Sequence, residues 1–206
     1  MKQIYEKKVK HRQNKRRIAT EEGAKFDLKE ELPLMFKAFK EAHELYESEI
    51  VQTPPLARGR GFEASLLNSK MLQCIQKYFP NNWKFGKYKR FTLRVNGYII
   101  LFKKLDKKNM PMNIKTNSVQ AISHQLSLPL FSEASYVEEP ILFFGYKKNS
   151  VGAISEPKLV YLDEDRIQWI VTLDDITIDK TLQLPRKVQK ATPTLKKGKE
   201  GDKKVG

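Results

Sequence analysis

Asn96-Gly97 separates two runs, Arg90-Phe91-Thr92-Leu93-Arg94-Val95 and Tyr98-Ile99-Ile100-Leu101-Phe102. Both turn residues tolerate positive φ, and Asn-Gly is the strongest short signal for a two-residue hairpin. The first run alternates, with Phe91, Leu93 and Val95 on one side and Arg90, Thr92 and Arg94 on the other. The second is apolar on both sides, the pattern of a strand buried from above and below. A hairpin leading into a central strand is therefore the firmest constraint on the fold.

The rest of the chain supplies elements to surround that strand. Phe36, Phe39, His43, Tyr46 and Ile50 recur at helical spacing, with Glu41, Glu44, Glu47 and Glu49 across the axis, so a helix is predicted over 34–50. Thr53-Pro54-Pro55 ends it. A second helix is predicted over 62–78, carrying Leu67, Met71, Cys74, Ile75 and Tyr78 on one face, and a third over 116–125. Asn81-Asn82 and Gly86 read as a turn. Strands are predicted over 141–146, 159–162 and 167–173, the last two joined by Asp163-Glu164-Asp165-Arg166. The expected class is α+β, with about three helices packed on a largely antiparallel sheet of about five strands. Three segments follow: a basic arm at 1–17, a single domain at 18–185, and a basic tail at 186–206 too rich in Lys, Gly and Pro to bury a core.

Charge is segregated into blocks. Residues 58–115 hold fourteen bases and two acids, whereas 18–57 and 116–185 are each net acidic by five. The arm and tail add +7 and +6, giving +15 for the 206-residue chain. Basic tails alone read as solvated arms. The central block coincides with the best strand signals, so its charge is expected on one folded face, suited to a polyanion and above all to nucleic acid. Cys74 is the single cysteine and excludes an intrachain disulfide. No apolar run approaches the roughly 20 residues of a membrane span. The charged start lacks the apolar segment of a secretory signal, so a cytoplasmic protein is expected without a membrane partner.

The residues expected to meet the polyanion are Arg58, Arg60, Lys87, Lys89, Arg90, Arg94, Lys103 and Lys104. Arg58 and Arg60 alternate with Gly59 and Gly61 directly before the second helix, whose N-terminus would add its dipole to an anion site. No Gly-Lys-Ser/Thr follows, so this is not a Walker loop. Around the hairpin, Trp83, Phe85 and Tyr88 interleave with lysines, the composition of a stacking platform for bases.

Two further constellations carry chemistry. Asp106-Lys107-Lys108 fits the acid-x-Lys triplet of restriction-like nucleases, with Glu63 as a second carboxylate. Glu63, Asp106 and Lys108 would then serve Mg²⁺-dependent cleavage. The position expected for the upstream acid is Asn96. No other cofactor is expected, and His11, His43 and His124 lack metal-ligand spacing. Gln125-Leu126-Ser127-Leu128-Pro129-Leu130-Phe131 resembles the hexapeptide by which bacterial replication and repair proteins dock onto the DNA sliding clamp. The resemblance implies an exposed, extended peptide with Gln125 bonding at the groove entry and Leu128, Leu130 and Phe131 as apolar anchors.

Across residues 90–173, "VNGYIILFKKLDKKNMPMNI", "QLSLPL", "ILFFGY" and "IQWIVTL" resemble uncharacterised bacterial proteins encoded beside helix-turn-helix or zinc-peptidase antitoxin-type genes. The resemblance implies a toxin–antitoxin or phage-defence context and no catalytic residues. Three functions are therefore open: a nucleic-acid-associated binder acting on DNA, RNA or a DNA-bound machine, a Mg²⁺-dependent nuclease, and an antitoxin or inhibitor whose acidic flanks hold a cognate basic partner.

Overall fold

The computed structural model describes residues 15–86, 90–114, 116–126, 138–149 and 152–176, with the side chains of 90, 116–118 and 120 excepted. Helices α1 (Glu21–Asp27), α2 (Glu31–Ile50) and α3 (Phe62–Tyr78) lead into strands β1 (Trp83–Gly86), β2 (Arg90–Val95) and β3 (Tyr98–Lys104). Helix α4 (Thr116–Ser123) precedes β4 (Ile141–Lys148), β5 (Ile154–Asp163) and β6 (Arg166–Thr172). The strands form one sheet in the order of the sequence. Every neighbouring pair is antiparallel except β3 and β4. The class is α+β, as the residue pattern predicts, with one more strand and one more α-helix among the described residues than expected.

The hairpin forms where Asn96-Gly97 places it, with φ of 46° and 77° at the two turn residues. Its turn is docked, not free. Asn96 Nδ2 donates to the Asp27 carbonyl at 2.6 Å and to Glu31 Oε1 at 2.9 Å, fixing it to the α1–α2 corner. The Tyr98 hydroxyl donates to Asp27 at 2.8 Å, and burial together with that carboxylate pushes its pKa up to about 12. Strand β3 is central as predicted, and Tyr98 to Leu101 are all buried.

Two apolar layers enclose the sheet. On one face Leu93, Val95, Tyr98, Ile100, Leu142, Phe144, Leu159, Tyr161, Trp169 and Val171 meet α2 and α3. Leu32, Met35, Phe36, Phe39, Ala42, Tyr46 and Ile50 form the buried stripe of α2, and Leu67, Met71, Cys74 and Ile75 that of α3. Each large apolar side chain so buried contributes about 1.5–3 kcal/mol before entropy is charged against it. On the other face Ile99, Leu101, Ile141, Phe143, Val160 and Leu162 are covered by Leu105, Met110, Ile114 and Ile122.

Three local readings are corrected. Helix α1 escapes the periodicity argument because it is short and buries only Ala24 within its length. It is held instead by its Thr20 cap, whose side chain accepts from Gly23 N. Residues 83–86, read as the end of a turn, pair with β2 as an edge strand. The arm does not extend to residue 17. Arg16 is only 2% exposed, with its backbone N–H on the Gln125 carbonyl at 2.7 Å and its guanidinium on the Leu126 and Glu139 carbonyls. Lys15 pairs with Asp163 at 2.7 Å. The tail at 186–206 and residues 1–14 lie outside the described residues.

The bases of residues 58–115 do not share one face. Arg58, Lys70 and Lys77 belong to the helix layer and pair with Glu63, Glu49 and Glu41. Arg94 alternates with Leu93 and Val95, which places it on the opposite side of the sheet. Clustering in sequence was scattered by the strand alternation and by the helical turn.

Gly145 has a packing role that gives a direct check of the second apolar layer. A Cβ there would stand 2.5 Å from Leu105 Cγ and 2.7 Å from the Lys103 carbonyl oxygen. Gly145→Ala should destabilise the fold by about 1–3 kcal/mol in urea denaturation. Combined with Leu105→Ala, the losses should fall short of additivity by at least about 0.5 kcal/mol. Strict additivity would mean that Leu105 is not the obstacle.

Candidate nucleic-acid interface

The edge ribbon β1–β2 separates two kinds of surface. Phe85 lies opposite Phe91 and Trp83 opposite Leu93, so these apolar side chains share the helix-side face. Lys84 and Thr92 are paired on the other face, where the Thr92 hydroxyl donates to the Lys84 carbonyl at 3.2 Å. Period-two alternation alone produces this division.

On the helix side the rings form a continuous series. Trp83 stacks on Phe91 with centroids 6.0 Å apart, and Phe85 stands edge-to-face with both at 5.6 Å. Phe91 meets Phe102 at 6.0 Å, and Phe102 meets Phe144 at 5.9 Å in the core. Met71 and Ile75 of α3 adjoin Phe102. Beyond Phe102 the ladder runs out to the open edge, where Phe85 is 51% exposed and Trp83 and Phe91 are half-buried. Lys104 follows Phe102 on the same face and has no acidic partner among the described residues.

The expected polyanion residues divide by what already holds them. Arg58 closes the C-terminus of α2. Its Nη2 donates to the Ile50 carbonyl and its Nε to the Thr53 carbonyl, each at 2.9 Å, while Nη1 reaches Glu63 at 3.3 Å. This satisfies a helix-end carbonyl and gives Arg58 a structural task within the fold. Arg60 is exposed in the loop. Only Gly61 of that loop requires glycine, at φ 83°, whereas a Cβ at Gly59 would meet nothing within 4 Å. Glu63 stands in the first turn of α3, and its pKa lies below the usual carboxylate range because Lys148 donates to it at 2.7 Å and Arg58 adds to this.

Arg94 holds Glu139 bidentately, with Nε on both carboxylate oxygens at 2.8 and 2.9 Å and Nη2 on one at 2.5 Å. Lys103 donates to the Asn113 carbonyl at 3.4 Å. Lys87 and Lys89 lie outside the described residues, and for Arg90 only the backbone is described. Glu139 was not foreseen. It lies far from Arg94 in sequence, and only the crossover between β3 and β4 brings them together.

The nuclease residues do not form a shared site in the described contacts. Asp106 Oδ1 accepts from the backbone N–H groups of Lys108 and Met110, each at 2.8 Å, and so closes its own turn. Glu63 is bound to Arg58 and Lys148, as above. Lys108 is exposed on the Asp106 turn. Among the described residues no group of three or more His, Cys, Asp or Glu side chains is arranged to hold a metal ion.

The docking-peptide reading is corrected at its first residue. Gln125 is fully buried, and its carboxamide donates to the Ile141 carbonyl at 3.0 Å and the Leu162 carbonyl at 2.7 Å and accepts from Ile141 N at 2.9 Å. It also ends α4 in the left-handed region at φ 50°. Leu126 N donates to the Ala121 carbonyl and Gln125 N to the Ile122 carbonyl, the paired bonds of a Schellman terminus. Leu128, Leu130 and Phe131 lie outside the described residues. Sequence reasoning saw the glutamine and missed its task, because its partners lie on two distant strands.

Comparison with protein-family models, with curated proteins and with solved structures yields no match.

Gln125→Ala should cost about 2–4 kcal/mol, since it strands the Ile141 N–H and two carbonyls in a buried layer. Gln125→Gly loses the same bonds but relaxes the positive φ, so it should be less damaging than Ala by about 1 kcal/mol. Equal midpoints for the two variants in chemical denaturation would show that the backbone there is unstrained.

Proposed function

We propose that this chain is a nucleic-acid-associated binding protein that works by occupancy and not by turnover. One observation carries the reading: an aromatic ladder emerges from the core at an edge strand within the chain's most basic stretch. Trp83, Phe85 and Phe91 supply rings, and Lys84, Lys87, Lys89 and Arg90 interleave with them in sequence. Aromatic rings among bases suit a ligand with flat π-faces and a phosphate backbone. The net charge of +15 supports the same partner through long-range attraction.

The bacterial defence or toxin–antitoxin setting rests on the resemblance of residues 90–173 and is proposed only as context. A cytoplasmic location accords with it, and no described helix is long and apolar enough to cross a membrane. Sliding-clamp docking is not carried forward, because Gln125 is consumed within the fold. Nuclease action has no specific contact in its favour, since Asp106 and Glu63 are each engaged structurally.

The test is fluorescence anisotropy of the full chain with labelled oligonucleotides over a salt series. Replacing Lys84, Lys87, Lys89 and Arg90 together by Gln should weaken binding about tenfold or more near 0.1 M salt and flatten the log–log salt slope by roughly 2–4. Unchanged affinity and slope in that variant would remove the ribbon from the interface and leave only the tails.

A further inference from the structure

We infer that the β1–β2 ledge takes single-stranded nucleic acid, stacking unpaired bases on Phe85 and Trp83; this rests on the nucleic-acid reading above. The two faces of the ribbon differ in what they offer a ligand. A duplex presents groove edges and phosphates, and its base faces are hidden in the stack. A two-stranded ribbon that read a duplex would do so through polar side chains entering the major groove. On this ribbon the polar face is partly spent, because Arg94 is locked to Glu139 by contacts of 2.5–2.9 Å.

The face that remains open is aromatic. Phe85 is half exposed, and its ring neighbours lie at centroid spacings of 5.6–6.0 Å. That spacing exceeds the about 3.4 Å separation of nucleotides in a helical strand. A strand following the ladder would therefore be opened out, each accepted base meeting a ring and not its neighbour. Single strands and unpaired loops permit this, and stacking on aromatic side chains is insensitive to sequence. Lys104, next to Phe102 along the same face of β3, brings positive charge to the ledge, whereas Lys84 lies on the opposite face of the ribbon. Charge complementarity to phosphate thus accompanies an apolar surface for the bases. Helix α3 bounds the ledge at Phe102, where Met71 and Ile75 meet it. The accessible rings therefore number few, and the footprint is short.

The experiment compares a short oligothymidylate, the matching oligouridylate and a duplex of equal length against the full chain at one salt concentration. At least one single strand should bind more tightly than the duplex, and the two single-stranded arms separate DNA from RNA. Phe85→Leu keeps apolar contact with Trp83 and Phe91 but removes the ring. It should weaken single-strand binding about five- to hundredfold, with duplex binding and the thermal midpoint unchanged. Phe85→Tyr should restore it. Trp83 fluorescence should be quenched by the bound strand, while Trp169, 9% exposed and donating to the Ala19 carbonyl, contributes a constant background. Equal affinity for duplex, or a Phe85→Leu variant that binds single strands as well as the parent, overturns the single-strand inference and leaves nucleic-acid binding standing. Failure of every oligonucleotide to bind overturns both.

Discussion

Strands β3 and β4 run side by side in the same direction, paired from Ile99 with Ile141 to Lys104 with Tyr146. A parallel pair cannot be closed by a tight turn, so the chain must leave the sheet and return. The described residues between the two strands supply the cover of the second face: Leu105, Met110, Ile114 and Ile122. Without that crossover Ile99, Leu101, Ile141 and Phe143 would face water, and the central strands would lose half of their burial. The antiparallel hairpins on either side extend this pair outward in sequence order. The helix pair α2–α3 then needs to cover only one face.

The crossover is secured by polar groups that are fully used. Gln125 joins the end of α4 to the first residue of β4 and to the end of β5. Arg16 lies against it, binding the carbonyls of Leu126 and Glu139 on the two sides of the connection. Burial lowers the Arg16 pKa to about 10, still well above neutrality, so a charged guanidinium is held in place by carbonyl dipoles. Such groups are costly unless every bond is made, and for that reason they specify one arrangement. The N-terminal segment at 15–20 is thereby part of the fold. Trp169 confirms its place from the other face by donating to the Ala19 carbonyl at 2.7 Å.

The same economy determines which charges remain for a ligand. Lys70 and Lys77 of the helix layer pair with acids on the facing helix, and Arg58 serves a helix terminus. Arg94 is answered by Glu139. Among the described residues, the edge ribbon keeps rings on one side, with Phe85 half exposed, and Lys104 beside Phe102 on that same face. For the proposed ligand, a flexible, π-rich polyanion, affinity would come from a few stacked rings together with diffuse charge.

Much of the architecture was legible because it follows local rules. Asn96-Gly97 specified the hairpin, the doubly apolar Tyr98–Phe102 run specified a central strand, and helical spacing marked 62–78 residue for residue. Helix α1 and strand β1 were not legible, since one buries a single side chain and the other holds two apolar residues in four. The site was legible only as composition. Its bases and rings could be listed, but alternation sent Phe85 and Lys84 to opposite faces, local turns engaged Arg58 and Asp106, and contacts remote in sequence drew Arg94 and Gln125 into structural roles. Periodicity is a property of neighbours along the chain, so the sequence by itself determined elements and turns. Which polar groups are spent and which are left for a partner depends on residues separated by long stretches of chain, and that was decided only when the sheet closed.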